Sequence, residues 1–513
     1  MLRNNFVRGL GIAIVAFALF GGRASGGLIW DGENGVVNPG DNNIDVALNW
    51  NDDVTPDLTS GTSDLVFGTG GASVRVNVPV NVNSITLNRL GVNFAVVHQD
   101  ETNGSLTVGA GGIIADAPTS STRTYYLMEN TTANGAQTWE TKDQYSRLQV
   151  SSAVSLSVGD LTLKTFDNAG AMITFTGTSV ISGNQGVNLI GRATISGVNL
   201  YTGDTTIGIN GNLAVGNVNA IPNGAGKGNV VMDDVDSGAP VLNLNGNDLN
   251  INGLSGVAGA SNARVMNNGG GAKELILGHG DASADFHGII IDRTGGSGTV
   301  WLGKVGTGTQ TLSDVNTYTG KTRIHGGTLK LGAAGSIANS SAIEIFSDAT
   351  FDVSEVAGGF TLASGRTLAG DGGVLGAATI AEGAVLAPGG SIGTLSFDST
   401  LTLAGETRME IAKAGTLLTA DLIEGVTTLT YGGTLTVTAD GDPIAAGDSW
   451  TLFDADSFVG AFDTLNLPEL SGSLTWNTSR LTVDGTIVAI PEPGVMVLLF
   501  GSLFFTIVWR RRR

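Results

Sequence analysis

The chain has 513 residues, a formal net charge of −20, 78 glycines, 11 prolines and no cysteine. The acidic balance argues against nucleic acid as a partner, because the phosphate backbone would be repelled. Missing cysteine excludes disulfides, Cys-ligated zinc and thiol nucleophiles, and scarce proline excludes a collagen or a proline-rich linker. Only 14% of residues are charged, while 41% are hydrophobic, so a large core is available. Val and Thr favour strands, and Gly and Asn favour turns, which predicts an all-β chain with few soluble helices.

In chain order, residues 1–25 read as a secretory signal peptide. Arg3 and Arg8 give a positive start, Leu10 to Phe20 an apolar run, and Gly22 and Ala24 the small residues before cleavage next to Ser25. A helix is expected there, too short to span a bilayer comfortably. Residues 26–190 are predicted to form an N-terminal β-rich cap and the first rungs of a solenoid, with Trp30 and Trp50 covering the open end.

Residues 191–400 carry internal repetition. One copy reads Asn199-Leu200-Tyr201-Thr202-Gly203-Asp204-Thr205-Thr206-Ile207. The second reads Asn316-Thr317-Tyr318-Thr319-Gly320-Lys321-Thr322-Arg323-Ile324 and runs on to Gly326-Gly327-Thr328-Leu329. The shared pattern, Asn-x-Tyr-Thr-Gly-x-Thr-x-Ile, describes a strand end, a glycine corner and a new strand. Stacked copies are expected to align Asn and Thr in hydrogen-bonded ladders. The unit resembles the autotransporter-associated β-strand repeat of bacterial passenger-like proteins, which implies a right-handed parallel β-helix. Residues 401–489 are predicted to be a C-terminal β-rich module.

Residues 490–513 form a second targeting segment. Pro491-Glu492-Pro493 precede an apolar run over 494–509 and four terminal arginines, Arg510, Arg511, Arg512 and Arg513. A transmembrane helix is predicted over that run, with the arginines held in the cytoplasm and the body outside. Motif, span and basic end together resemble the PEP-CTERM sorting signal of Gram-negative bacteria. That resemblance implies passage through the Sec machinery, a transient inner-membrane stage through residues 494–509, and processing by an exosortase-type enzyme before arrival at the cell surface or outside the cell.

Catalytic patterns are incomplete. Gly389-Gly390-Ser391-Ile392-Gly393 fits the nucleophile elbow, but no His follows Ser391, and a glycine-rich corner explains it. His279, Asp281, Asp285 and His287 offer metal-ligand chemistry, although the strand-turn context favours solvent-facing turn residues. Asp233, Asp234 and Asp236, and separately Asp440 and Asp442, leave room for weak Ca2+ binding without completing a calcium loop. Gly224 to Gly228 resembles a phosphate loop only briefly, since Lys227 is followed by Gly228. Tyr125, Tyr126, Trp139 and Tyr145 offer rings for stacking on sugars, with core packing as the competing use. The expectation is a non-enzymatic surface protein without a cofactor, structural or adhesive, with exopolysaccharide or other surface proteins as candidate partners. The alternative is a carbohydrate-active or carbohydrate-binding β-helix, which needs carboxylates and a basic residue converging in one groove.

Overall fold

The computed structural model describes residues 28–30 and 57–492, apart from 69–72, 89–92, 99–104, 117–120, 167–169, 234–237, 259–261 and 294. The predicted signal helix over 1–25 and the predicted span over 494–509 lie outside the described residues. Among the described residues, no helix is long and apolar enough to cross a membrane.

Strands of three to five residues alternate buried and half-buried positions, the pattern of a ribbon with one face in a core. They stack in parallel ladders. One sheet begins with Leu28–Trp30 and ends with Leu254–Gly256, and a second runs from Ser73–Val76 to Ile289–Ile291. Three more carry the chain onward: from Leu249–Asn250 to Thr464–Asn466, from Ala284–Phe286 to Phe453–Ala455, and from Phe360–Leu362 to Phe458–Gly460. The result is a parallel β-solenoid. Its last three sheets continue without a break through residue 400, since Ala378–Ile380 pairs with Leu401–Leu403 and Thr394–Phe397 with Leu422–Val426.

In-register parallel pairing places side chains of successive rungs over one another. Leu65, Ile85, Ile113, Trp139, Leu163, Leu189, Ile207 and Met232 form one such inward column. All eight are buried. Each rung therefore covers the apolar face of its neighbour, which a single turn could not do alone. Antiparallel strand pairing is confined to the Glu406–Ala414/Leu417–Ala420 hairpin and to a small terminal sheet among the described residues. In that sheet Thr486–Pro491 lies between Ser449–Thr451 and Leu474–Asn477, next to the short helix Leu481–Asp484. Tyr431 donates its hydroxyl to the Leu481 carbonyl (2.9 Å), tying this cap to the last rungs.

A seam divides the first sheet from the fourth. Leu254–Gly256 ends its ladder, and Ala284–Phe286 begins the next. Buried Gln310, paired with Ala284, reaches past that small residue to the strand beneath. Its Nε2 donates to the Leu254 carbonyl (2.8 Å), and its Oε1 accepts from the Leu254 amide (3.1 Å). One side-chain amide thus satisfies a buried peptide group where the backbone ladder is interrupted.

Candidate functional site

The two repeat copies share the hydrogen bonds of their Asn and Tyr side chains. In the first, Asn199 Oδ1 accepts from the Ile181 amide (2.7 Å), and its Nδ2 donates to the carbonyls of Gly197 (3.1 Å) and Ala220 (2.7 Å). In the second, Asn316 Oδ1 accepts from the Ile290 amide (2.8 Å), and its Nδ2 donates to Asp314 (2.8 Å) and Ser336 (3.3 Å). The expected ladder of stacked Asn side chains is replaced here by clamps on the backbone of neighbouring rungs. Tyr201 and Tyr318 are buried, and each hydroxyl meets a threonine, Thr205 or Thr322, at 2.6 Å. Burial pushes both phenols up. The residues beside them serve the same packing. Thr202 donates its amide to the Gly183 carbonyl (3.0 Å), and Thr319 donates amide and hydroxyl to Asp292. Gly203 and Gly320 lie against the rung below. Gly326 leads into Gly327, which turns with a φ of 58°, Thr328 faces outward, and Leu329 is buried. Within the same segment, buried Lys304 donates to the carbonyls of Val305, Gly306 and Gly326, and burial depresses its ammonium to about 8. These residues build rungs and leave no cleft.

A groove opens on the outer flank of the fourth sheet. Register stacks Asp285, Thr311, Lys330 and Asp352 in one outward column. The groove, about 710 Å3, is lined by Asp285, Thr311 and Lys330 of that column together with His287, Ser313, Asp314 and Glu355 from the corners. Ser313 donates its hydroxyl to Asp285 (2.6 Å), and His287 Nε2 lies 3.2 Å from the other oxygen of that carboxylate. Lys330 Nζ lies 2.6 Å from Glu355 and 3.9 Å from Asp352, and its hydrogen bond to Glu355 raises its pKa.

This geometry suits binding better than nucleophilic catalysis. Ser313 and His287 both engage Asp285, whereas a serine nucleophile requires the His between Ser and the carboxylate. Lys330 presents donors and Asp285 and Glu355 acceptors, a set that matches hydroxyl-rich ligands. Of the predicted metal cluster, Asp285 and His287 join this groove. His279 lies apart, with Nε2 enclosed and unpartnered and its pKa lowered by burial. Asp281 accepts from the Thr307 amide (2.8 Å), which lowers its pKa. Among the described residues, no group of three or more His, Cys, Asp or Glu is placed to hold a metal ion.

The other predicted positions have ordinary structural roles. Tyr125 and Trp139 are buried; Tyr125 donates to the Asp116 carbonyl (3.1 Å) and Trp139 to Gln137 (2.7 Å), so neither is a sugar platform. Tyr126 and Tyr145 are half-buried. Ser391 sits in a loop held by the Gly389 amide on the Gly370 carbonyl (2.6 Å). Lys227 donates to the Leu200 carbonyl (2.7 Å), and Asp442 accepts from the Gly415 amide (2.7 Å). Asp233 is described, and Asp234 and Asp236 are outside the described residues. Pro491 ends the central strand of the terminal sheet, and the Glu492 amide donates to the Ser473 carbonyl (2.9 Å). Ala24, Ser25, Pro493 and Arg510 to Arg513 lie outside the described residues.

Sequence reasoning missed Ser313, Lys330 and Glu355. They come from different turns, and only the register unites them. Among curated proteins nothing matches the chain. Residues 302–331, which span Lys304, Gln310, Asn316, Tyr318 and Gly320, match the model of the family described as the passenger-associated-transport-repeat.

Proposed function

We propose that the protein is an exported, surface-associated structural or adhesive component of a Gram-negative envelope or exopolysaccharide matrix, sorted and processed through its C-terminal tail. The observation that carries this reading is the passenger-type repeat at 302–331 set within a parallel β-solenoid, a combination that fits a surface-exposed passenger-type protein. A non-enzymatic role is compatible with both. A solenoid whose rungs contact only their neighbours makes a long, even surface suited to display or to lateral contact. The PEP-CTERM-like tail supplies the route: Sec-dependent export, an inner-membrane stage through 494–509, and exosortase-type cleavage. Cleavage beyond Glu492 leaves every described strand in place, because the last one is Thr486–Pro491.

Intact mass of the protein isolated from its native envelope tests this processing. The expected mass is below the 52.1 kDa of the full chain by both terminal segments. A full-length mass would overturn the proposed route. A second reading, carbohydrate binding, is favoured by the Asp285–Lys330–Glu355 groove, where carboxylates and a basic residue meet across consecutive rungs.

A further inference from the structure

A second cleft, about 420 Å3, lies at the corner between the third and fourth sheets, lined by Phe346, Asp371, Ser391 and the glycines of the 389–393 loop. Its size lies within the range of small-ligand clefts, about 300–1,000 Å3. Phe346 is the anomaly. It follows inward-facing Ile345 and stands 40% exposed on a rung corner, where burial would be the favourable outcome. One face of its ring stacks on His325, with centroids 4.2 Å apart and planes at 16°, which fixes the ring orientation.

The opposite wall is equally fixed. The Gly389 amide donates to the Gly370 carbonyl (2.6 Å). Buried Asp421 accepts the Gly393 amide on one oxygen (2.8 Å) and the Glu410 amide on the other (2.6 Å), so a carboxylate inside the solenoid anchors the loop. Asp371 and Ser391 are exposed at the rim. Glu344, also on the cleft wall, is engaged by Lys321 (2.6 Å) and Arg323 (3.3 Å).

We infer that this cleft is a subsite for one ring of a neutral polysaccharide. A pyranose is apolar on its C–H faces and polar at its rim, the complement of an immobilised aromatic ring edged by a carboxylate, a hydroxyl and backbone groups. An acidic sugar is disfavoured by the exposed Asp371 carboxylate at the rim, the charge of Glu344 being offset by Lys321 and Arg323. The subsite rests on the carbohydrate-binding reading of the protein and deepens it by naming the ligand class.

Calorimetric titration of the full chain with two neutral hexamers, cellohexaose and chitohexaose, and with hexagalacturonate tests it. At least one neutral hexamer should bind, about tenfold weaker to Phe346→Ala and to Asp371→Asn at unchanged melting temperature. The acidic hexamer should bind no more tightly than to those variants. Wild-type affinity in both variants, or preference for hexagalacturonate, would overturn the subsite. If Lys330→Met abolishes binding while Phe346→Ala leaves it intact, the subsite fails and the flank groove keeps the carbohydrate reading. If neither neutral hexamer binds at millimolar concentration, both fail.

Discussion

Replacing Gly320 by valine should destabilise the solenoid by more than about 3 kcal/mol, among the largest effects of any single substitution in the chain. Gly320 needs no left-handed backbone. The constraint is the neighbouring rung: a Cβ at this position would sit 2.1 Å from the Val300 carbonyl oxygen. That oxygen belongs to a ladder strand, so the clash cannot be relieved by rotating a side chain. Gly203, at the same place in the first copy, would put a Cβ 2.4 Å from the Gly186 amide nitrogen. Glycine recurs in the pattern because two turns of backbone pass at strand spacing where the chain rounds the corner. Gly390→Ala is the control. No neighbouring atom lies within 4 Å of a Cβ there, and a change within about 0.5 kcal/mol is expected. Denaturant unfolding followed by circular dichroism measures both; equal midpoints for the two variants would refute the close-approach explanation.

Gln310→Leu should cost about 3 kcal/mol or more. Leucine fills similar space but leaves the Leu254 amide and carbonyl without the partner they have at the seam. The N–H and the C=O of Leu254 would both lose their bonds, each loss worth about 1–3 kcal/mol. The effect should also change the form of unfolding. Rungs of a solenoid are coupled through nearest-neighbour interfaces, so a weakened interface lets the two sides unfold at separate denaturant concentrations. Tryptophan fluorescence and far-ultraviolet circular dichroism, coincident in the wild type, should separate in the variant. A single transition at the wild-type midpoint would show that the seam does not depend on Gln310.

Much of this fold was legible in the sequence. Alternating strands, glycine corners and the Asn-x-Tyr-Thr-Gly-x-Thr-x-Ile pattern pointed to a parallel solenoid, and the ladders follow that arrangement. The meaning of individual letters was less accessible. Asn316 reads as a ladder residue by analogy with stacked amides, yet its carboxamide spans three backbone groups. Tyr318 stood in the pattern without an assigned role; its burial with a hydroxyl partner depends on Thr322 four positions later, which the pattern did contain. The grooves were hidden for a different reason. Asp285, Lys330 and Glu355 approach only because register stacks turns of unequal length, and no local pattern encodes that sum. Phe346 did leave a signal, as an apolar residue directly after inward-facing Ile345 at a strand end, where alternation calls for a polar one.

Surface display is the claim on which the functional account rests, and the absence of native cysteine makes it directly measurable. Val315, in the matched repeat, is 56% exposed and follows no inward column, so Val315→Cys should leave the fold intact. Intact cells producing this variant, treated with a membrane-impermeant maleimide, should carry label on the protein before any lysis. Label that arrives only after the cells are broken open would place the solenoid on the wrong side of the envelope and contradict the account.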